Sequence, residues 1–162
     1  MRSAVARQAQ GAVTRKNAVG HSLSLNCMEL PAHPIAASHA RRLAVHTLAR
    51  WDMQWSTDMA ELIMSELVAN AVKATGELRD LARAGDASGL REFIRVGLYR
   101  FRGRIVIEVW DRGRTPPRTK SGALDDENGR GLQIVDDLAD QWGYRWLATG
   151  GKVVWATITP HA

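Results

Sequence analysis

The sequence predicts an α+β fold, a two-layer sandwich with helices on one face of a mixed, mostly antiparallel sheet. Three observations predict it. Two segments of helical period lie together in the first half, and the second half is mostly short strands joined by tight glycine-containing turns. A third helical segment then separates two hairpins. The 162 residues suffice for one domain with a real core and are too few for two.

The elements follow in order. Residues 1–20 contain Arg2, Arg7, Arg15 and Lys16 and no acid, so they read as a basic disordered tail ahead of a single domain over 21–162. This tail has no continuous apolar stretch of the kind a secretory signal needs. His21–Leu30 alternates through Leu23, Leu25 and Cys27 and stops at Pro31, which predicts an edge strand. Pro34–Trp51 has helical spacing. A more apolar helix is expected over Asp58–Thr75, with Asp58 and Glu61 as a capping pair and Gly76 as its stop. Residues 76–92 read as a charged, solvated excursion with a helical turn near Leu78–Ala84. Phe93–Phe101 and Arg104–Trp110 flank Arg102-Gly103 as a hairpin. Residues 111–130 are rich in glycine, proline and charge, and a loop of that length in a compact domain is usually functional or mobile. Leu132, Val135, Leu138, Ala139 and Trp142 share a helix face closed by Gly143. Tyr144–Thr149, Gly150-Gly151 and Lys152–Thr159 predict a last hairpin.

Composition excludes several classes. The chain has 22 basic and 17 acidic residues, a net charge of +5, but the tail carries four of those charges. A nucleic-acid binder carries its basic footprint on the folded domain, so DNA or RNA is not an expected partner unless the tail itself supplies the contact. The one cysteine, Cys27, excludes a disulfide framework and a cysteine-based zinc site and fits a cytoplasmic location. No apolar run reaches the length of a membrane span.

The middle helix carries the first chemical signal. On a wheel at about 100° per residue, Glu66, Asn70 and Lys73 fall within about 60° of one another on a segment otherwise mostly apolar. A carboxylate near a core must face water or hold a ligand, because its burial without partners is costly. The stripe alone also reads as the solvent edge of the helix. Read functionally, the Asn70 amide oxygen is a hard ligand suited to Mg²⁺, and Glu66 one turn earlier can orient or deprotonate an attacking hydroxyl.

The long loop carries the second. Asp111 ends a predicted strand, and its carboxylate suits an exocyclic amine such as that of adenine. Gly113 lets a flat base approach the backbone. At the far end, Gly129-Arg130-Gly131-Leu132 runs into a helix, where exposed N–H groups and the positive dipole end favour phosphate. No GxxxxGK[ST] motif occurs, which excludes a P-loop. Each of these pieces also occurs as an ordinary turn or loop end.

Their order carries more than any one of them. The stretch 65–73 (SELVANAVK), the box 110–117 (WDRGRTPP), 128–132 (NGRGL) and the hairpin 150–156 (GGKVVWA) together resemble the GHKL ATPase superfamily. Its members share the Bergerat, histidine-kinase-like ATP-binding fold. Within the superfamily the chain is most similar to stand-alone bacterial anti-sigma factor serine/threonine kinases, over about 21–159.

The resemblance implies that Asn70 coordinates Mg²⁺ at the ATP phosphates and that Glu66 is the catalytic base. It implies further that Asp111 bonds the adenine amine, that Gly113 packs by the base, and that Gly129, Arg130 and Gly131 contact phosphates as a lid over about 112–130 closes. Lys73 and Leu132 fall in the same nucleotide-binding boxes. The implied partners are a sigma factor and an anti-anti-sigma (STAS-type) protein whose Ser or Thr hydroxyl is phosphorylated, with a homodimer pairing through the first strand and helix. The alternative is an ATP-binding or degenerate interaction module that regulates its partner by binding alone. The chain departs from the pattern at Val153, where relatives often carry Thr, and at Arg114-Thr115, where a second glycine is common. Its scattered histidines (His21, His33, His39, His46 and His161) supply no phosphoacceptor helix.

Overall fold

A computed structural model describes residues 26–83, 92–117 and 131–159. The expected tail over 1–20, most of the lid, and Gly129 and Arg130 lie outside the described residues. The elements run β1 (Asn26–Pro31), α1 (Ala36–Arg50), a 3₁₀ turn (Gln54–Ser56), α2 (Thr57–Arg83), β2 (Phe93–Phe101), β3 (Arg104–Asp111), α3 (Gly131–Leu138), β4 (Gln141–Trp146) and β5 (Lys152–Ile158). The predicted α+β class is the observed one. Five strands form a single sheet in the order β1-β2-β3-β5-β4, and each neighbouring pair is antiparallel.

Strand alternation sets the layers. Ile94, Val96 and Leu98 of β2, Ile105, Ile107 and Val109 of β3, and Val154, Ala156 and Ile158 of β5 are buried on one face, beneath the helices. Ile63, Met64, Leu67, Val68 and Ala71 of α2 complete this core. The helix α1 offers it a stripe of Ala36, Ala40 and Ala44, small side chains at one-turn intervals that let the two helices approach closely. Pro31 ends β1 at the sheet edge, where its missing N–H breaks no ladder bond. Trp146, at the end of β4, is half exposed.

Three boundaries differ from the sequence reading. First, α2 runs through Gly76 to Arg83. A glycine stops a helix by taking a positive φ, and Gly76 does not take one. In the helix interior it costs only about 1 kcal/mol relative to alanine. Second, Asp58 lies inside the first turn of α2 and does not cap it; there it complements the helix dipole. Third, α3 ends at Leu138, and Trp142 and Gly143 belong to β4. The Asp140 N–H donates to the Thr157 carbonyl (2.9 Å), which turns the chain into the sheet. Trp142 Nε1 donates back to Asp136 Oδ1 (2.8 Å).

Gly143 therefore serves packing in a strand. It lies opposite Trp155, and a Cβ there would sit 2.9 Å from the indole ring. Gly143→Ala should lower stability by about 1–3 kcal/mol through overpacking, read as a drop in urea midpoint at unchanged m-value. An unchanged midpoint would show that the ring moves aside freely.

Candidate functional site

The site lies where the C-terminal end of β3 meets the side of α2. Asp111 closes β3 and pairs in register with Lys152, the first residue of β5. The glycine turn makes this pairing possible. Gly150 and Gly151 have φ of 96° and 79°, and a Cβ on Gly151 would run into the Asp111 carbonyl oxygen. The start of β5 is thereby laid directly against the end of β3.

The Asp111 and Lys152 side chains meet in the interior. Asp111 Oδ1 accepts from Lys152 Nζ at 2.7 Å and from the Gly113 N–H at 2.7 Å. The two side chains are only 2% and 3% exposed, so this is a buried ion pair. Gly113 is pressed into the same corner. A Cβ there would lie 2.7 Å from Asp111 Oδ1, 2.8 Å from the Ala74 methyl and 2.9 Å from Lys152 Nζ. The backbone after Asp111 thus rests on α2 at Ala74.

From Ala74 the polar stripe leads away along the helix. Asn70 lies one turn before Ala74 and Glu66 one turn before Asn70, which spans about 12 Å of helix axis. Glu66 is half-buried and reaches α3: a Cβ on Gly131 would overlap Glu66 Oε2. A carboxylate at this position faces the positive end of the α3 dipole. The Asn70 side-chain nitrogen is buried and has no hydrogen-bond partner among the described residues. A buried donor left in that state costs about 1–3 kcal/mol.

The structure thus brings Glu66, Asn70, Asp111, Gly113 and Gly131 along one side of α2. Lys73 continues the stripe on the exposed side of the helix, about 20° around the wheel from Glu66. Leu132 is 5% exposed and packs into the core, so its side chain does not line the site and only its backbone N–H remains for an anion.

Lys152 is the site residue that sequence reasoning missed. The reading singled out Val153 as the place of a missing hydroxyl, but Val153 pairs with Trp110 and shares the opposite face of the sheet. The side chain that reaches Asp111 comes from 152. The signal was the Gly-Gly-Lys sequence at the start of the last strand, and only the register of β5 on β3 gives it meaning.

Burial holds the Asp111 carboxyl above its ordinary value of 3.8, against the opposing pull of Lys152 and the Gly113 N–H. A carboxyl raised on folding binds its proton more tightly in the folded state than in the unfolded. Its contribution to stability is therefore complete below pH 3.8 and is lost as pH rises through the folded value. The stability difference between the native chain and Asp111→Asn should accordingly move in favour of the variant as pH rises through that window. Urea titrations at a series of pH values measure it, and a difference that grows in favour of the native chain would place the Asp111 value below 3.8.

The site's residues fit a magnesium nucleotide. They offer a side-chain amide whose oxygen is a hard ligand, a carboxylate at a strand end, and a second carboxylate at a helix start. Among the described residues no helix is long and apolar enough to cross a membrane. The family model of the histidine kinase-like ATPase domain matches residues 30–158, well over half of the chain. No curated protein matches the chain.

Proposed function

The chain belongs to the histidine kinase-like ATPase domain family, and from that premise we propose that it is a Mg-ATP-dependent serine/threonine protein kinase acting as an anti-sigma regulatory factor. Its substrate would be a Ser or Thr hydroxyl on an anti-anti-sigma (STAS-type) protein, and its second partner a sigma factor, with the chain working as a homodimer in the cytoplasm. One observation carries the reading. Two polar side chains, Glu66 and Asn70, sit half-buried one turn apart on the core-packing helix, between the Asp111 end of the sheet and the start of α3.

Bound Mg-ATP supplies the phosphoryl group and the charge that shields it. The protein's part is positioning and proton transfer, which suffice for in-line displacement. Asn70 would hold Mg²⁺ through its amide oxygen; Mg²⁺ commonly takes only one or two protein ligands. Asp111 would accept a hydrogen bond from the exocyclic amine of the base, with the Gly113 backbone beside it. Glu66 takes the proton of the attacking hydroxyl. Backbone N–H groups at the start of α3 face the phosphates.

The buried Asp111–Lys152 pair favours a second reading. It already occupies one oxygen of the base-binding carboxylate, as it would in a module that regulates by contact alone. Incubating the purified chain with γ-labelled ATP, Mg²⁺ and candidate antagonist proteins separates the two. Label on a partner's Ser or Thr supports the kinase; ATP binding by calorimetry without label transfer supports the module. Neither heat nor transfer would remove the kinase and leave the module in its degenerate form.

A further inference from the structure

Beyond the basic tail the chain is nearly neutral in sum, and that sum argued against a nucleic-acid partner. It conceals a local excess. From Phe93 to Ile107 the sequence holds Arg95, Arg100, Arg102 and Arg104 and no acid. Three of the four crowd the turn between β2 and β3, where Arg100, Arg102 and Arg104 are exposed and form no ion pair with a described residue. The turn lies at the far end of the sheet from the candidate site: β3 runs from Arg104 to Asp111, about 23 Å of strand. Nothing in the proposed phosphoryl transfer uses it.

Pairing with β1 stops at Leu98 and pairing with β5 at Ile105, so among the described residues the tip stands beyond both neighbouring strands. Phe101 and Arg104 are partners across the tip, on the open face of the sheet. Arg100 falls on the helix side, its guanidinium 5.3 Å from the Trp51 ring. The Arg102 guanidinium lies 5.3 Å from the ring of Phe101, which is itself 51% exposed. Stacking occupies the flat face of each guanidinium and leaves its N–H edge for an anion. Arg102 also has φ of 50°, a conformation for which a tight hairpin prefers Asn, Asp or Gly. An arginine there goes against the preference of the turn itself.

Cations thus project from both faces of a narrow two-stranded ribbon. A flat anionic surface or a single acidic chain meets one face of such a tip, whereas a groove walled by two rows of phosphates meets both. The major groove of duplex DNA is about 12 Å wide and admits a two-stranded ribbon; that of duplex RNA is too narrow. We propose that the hairpin tip Arg100–Arg104 docks in the major groove of duplex DNA and engages the phosphates on its two sides. This role is independent of the nucleotide site.

The test is fluorescence anisotropy of a labelled, mixed-sequence duplex of about 20 base pairs, titrated with the full chain over about 50–200 mM salt. The native chain should bind, with log K falling steeply against log salt. Arg102→Asn/Arg104→Gln should weaken binding about tenfold per arginine at the low-salt end. It should also make the slope shallower by about 2, since each phosphate contact contributes about 0.9. Asn suits the φ at position 102, so this variant should keep the native urea midpoint. Arg100→Gln, on the other face of the ribbon, repeats the test independently with a slope change of about 1. A slope unaltered in both variants would assign any binding to Arg2, Arg7, Arg15 and Lys16 and overturn the proposal, as would a native chain that binds no duplex. Phosphatidylserine vesicles and polyglutamate are titrated in parallel. If the variants lose as much affinity for either of these as for DNA, the tip serves a membrane or an acidic protein and the proposal falls.

Discussion

Replacing Glu66 with Ala should lower phosphoryl transfer to a partner by about 10²–10⁴-fold, the range for loss of a positioned general base, while Mg-ATP affinity stays within a few-fold of native. The asymmetry follows from where the side chain ends. Its carboxylate lies over Gly131 at the first turn of α3, two helical turns from the Ala74–Gly113 corner where the base would be held. Removing a negative charge from a helix start also relieves its repulsion of incoming phosphates, so any change in affinity should be toward tighter binding. Glu66→Gln separates shape from basicity. It keeps the size and hydrogen-bonding reach of the side chain and loses only the capacity to take a proton, so it should transfer as poorly as Ala. Single-turnover measurement at saturating ATP is the readout. A Gln variant that transfers at the native rate would assign proton removal to another group, or to none.

How far the sequence could be read depended on which force decides each feature. Strand period is local, and β2 is predicted at its observed residues, as is the Arg102-Gly103 turn, whose φ values of 50° and 76° are those of a type I′ hairpin. The polar stripe on α2 was equally legible, because Glu66 and Asn70 stand out against apolar neighbours at helical spacing. Boundaries set by tertiary contact were not. Gly76 looks like a stop unless the packing around it is known, and Trp142 fits the face of α3 until Asp140 is seen bonding to β5. The largest omission, Lys152, is a matter of register. A shift of one residue in β5 would put Val153 beside Asp111, and nothing in the strand's own composition excludes that. What fixes the register is the pair of positive-φ glycines and the close approach of Gly151 to the Asp111 backbone.

The same register makes the energetics of the Asp111–Lys152 pair a second strong prediction. Asp111→Ala should lower unfolding free energy by about 3–5 kcal/mol, since it leaves the Lys152 ammonium buried with no counter-charge. Replacing both partners with apolar residues of similar size, as in Asp111→Leu/Lys152→Met, should recover most of that loss. Two desolvated charges repay their burial only when every donor and acceptor is satisfied, and here Oδ2 and most of the ammonium donors have no described partner. Urea denaturation of the two variants beside native measures the contrast, and calorimetry with Mg-ATP completes it, because the stable double variant should have lost its affinity for nucleotide. Recovery of stability without binding would mean that the pair is kept for recognition, at some expense to the fold. A double variant as unstable as Asp111→Ala would mean the reverse: the pair holds the ends of β3 and β5 together, and its polar groups are structural.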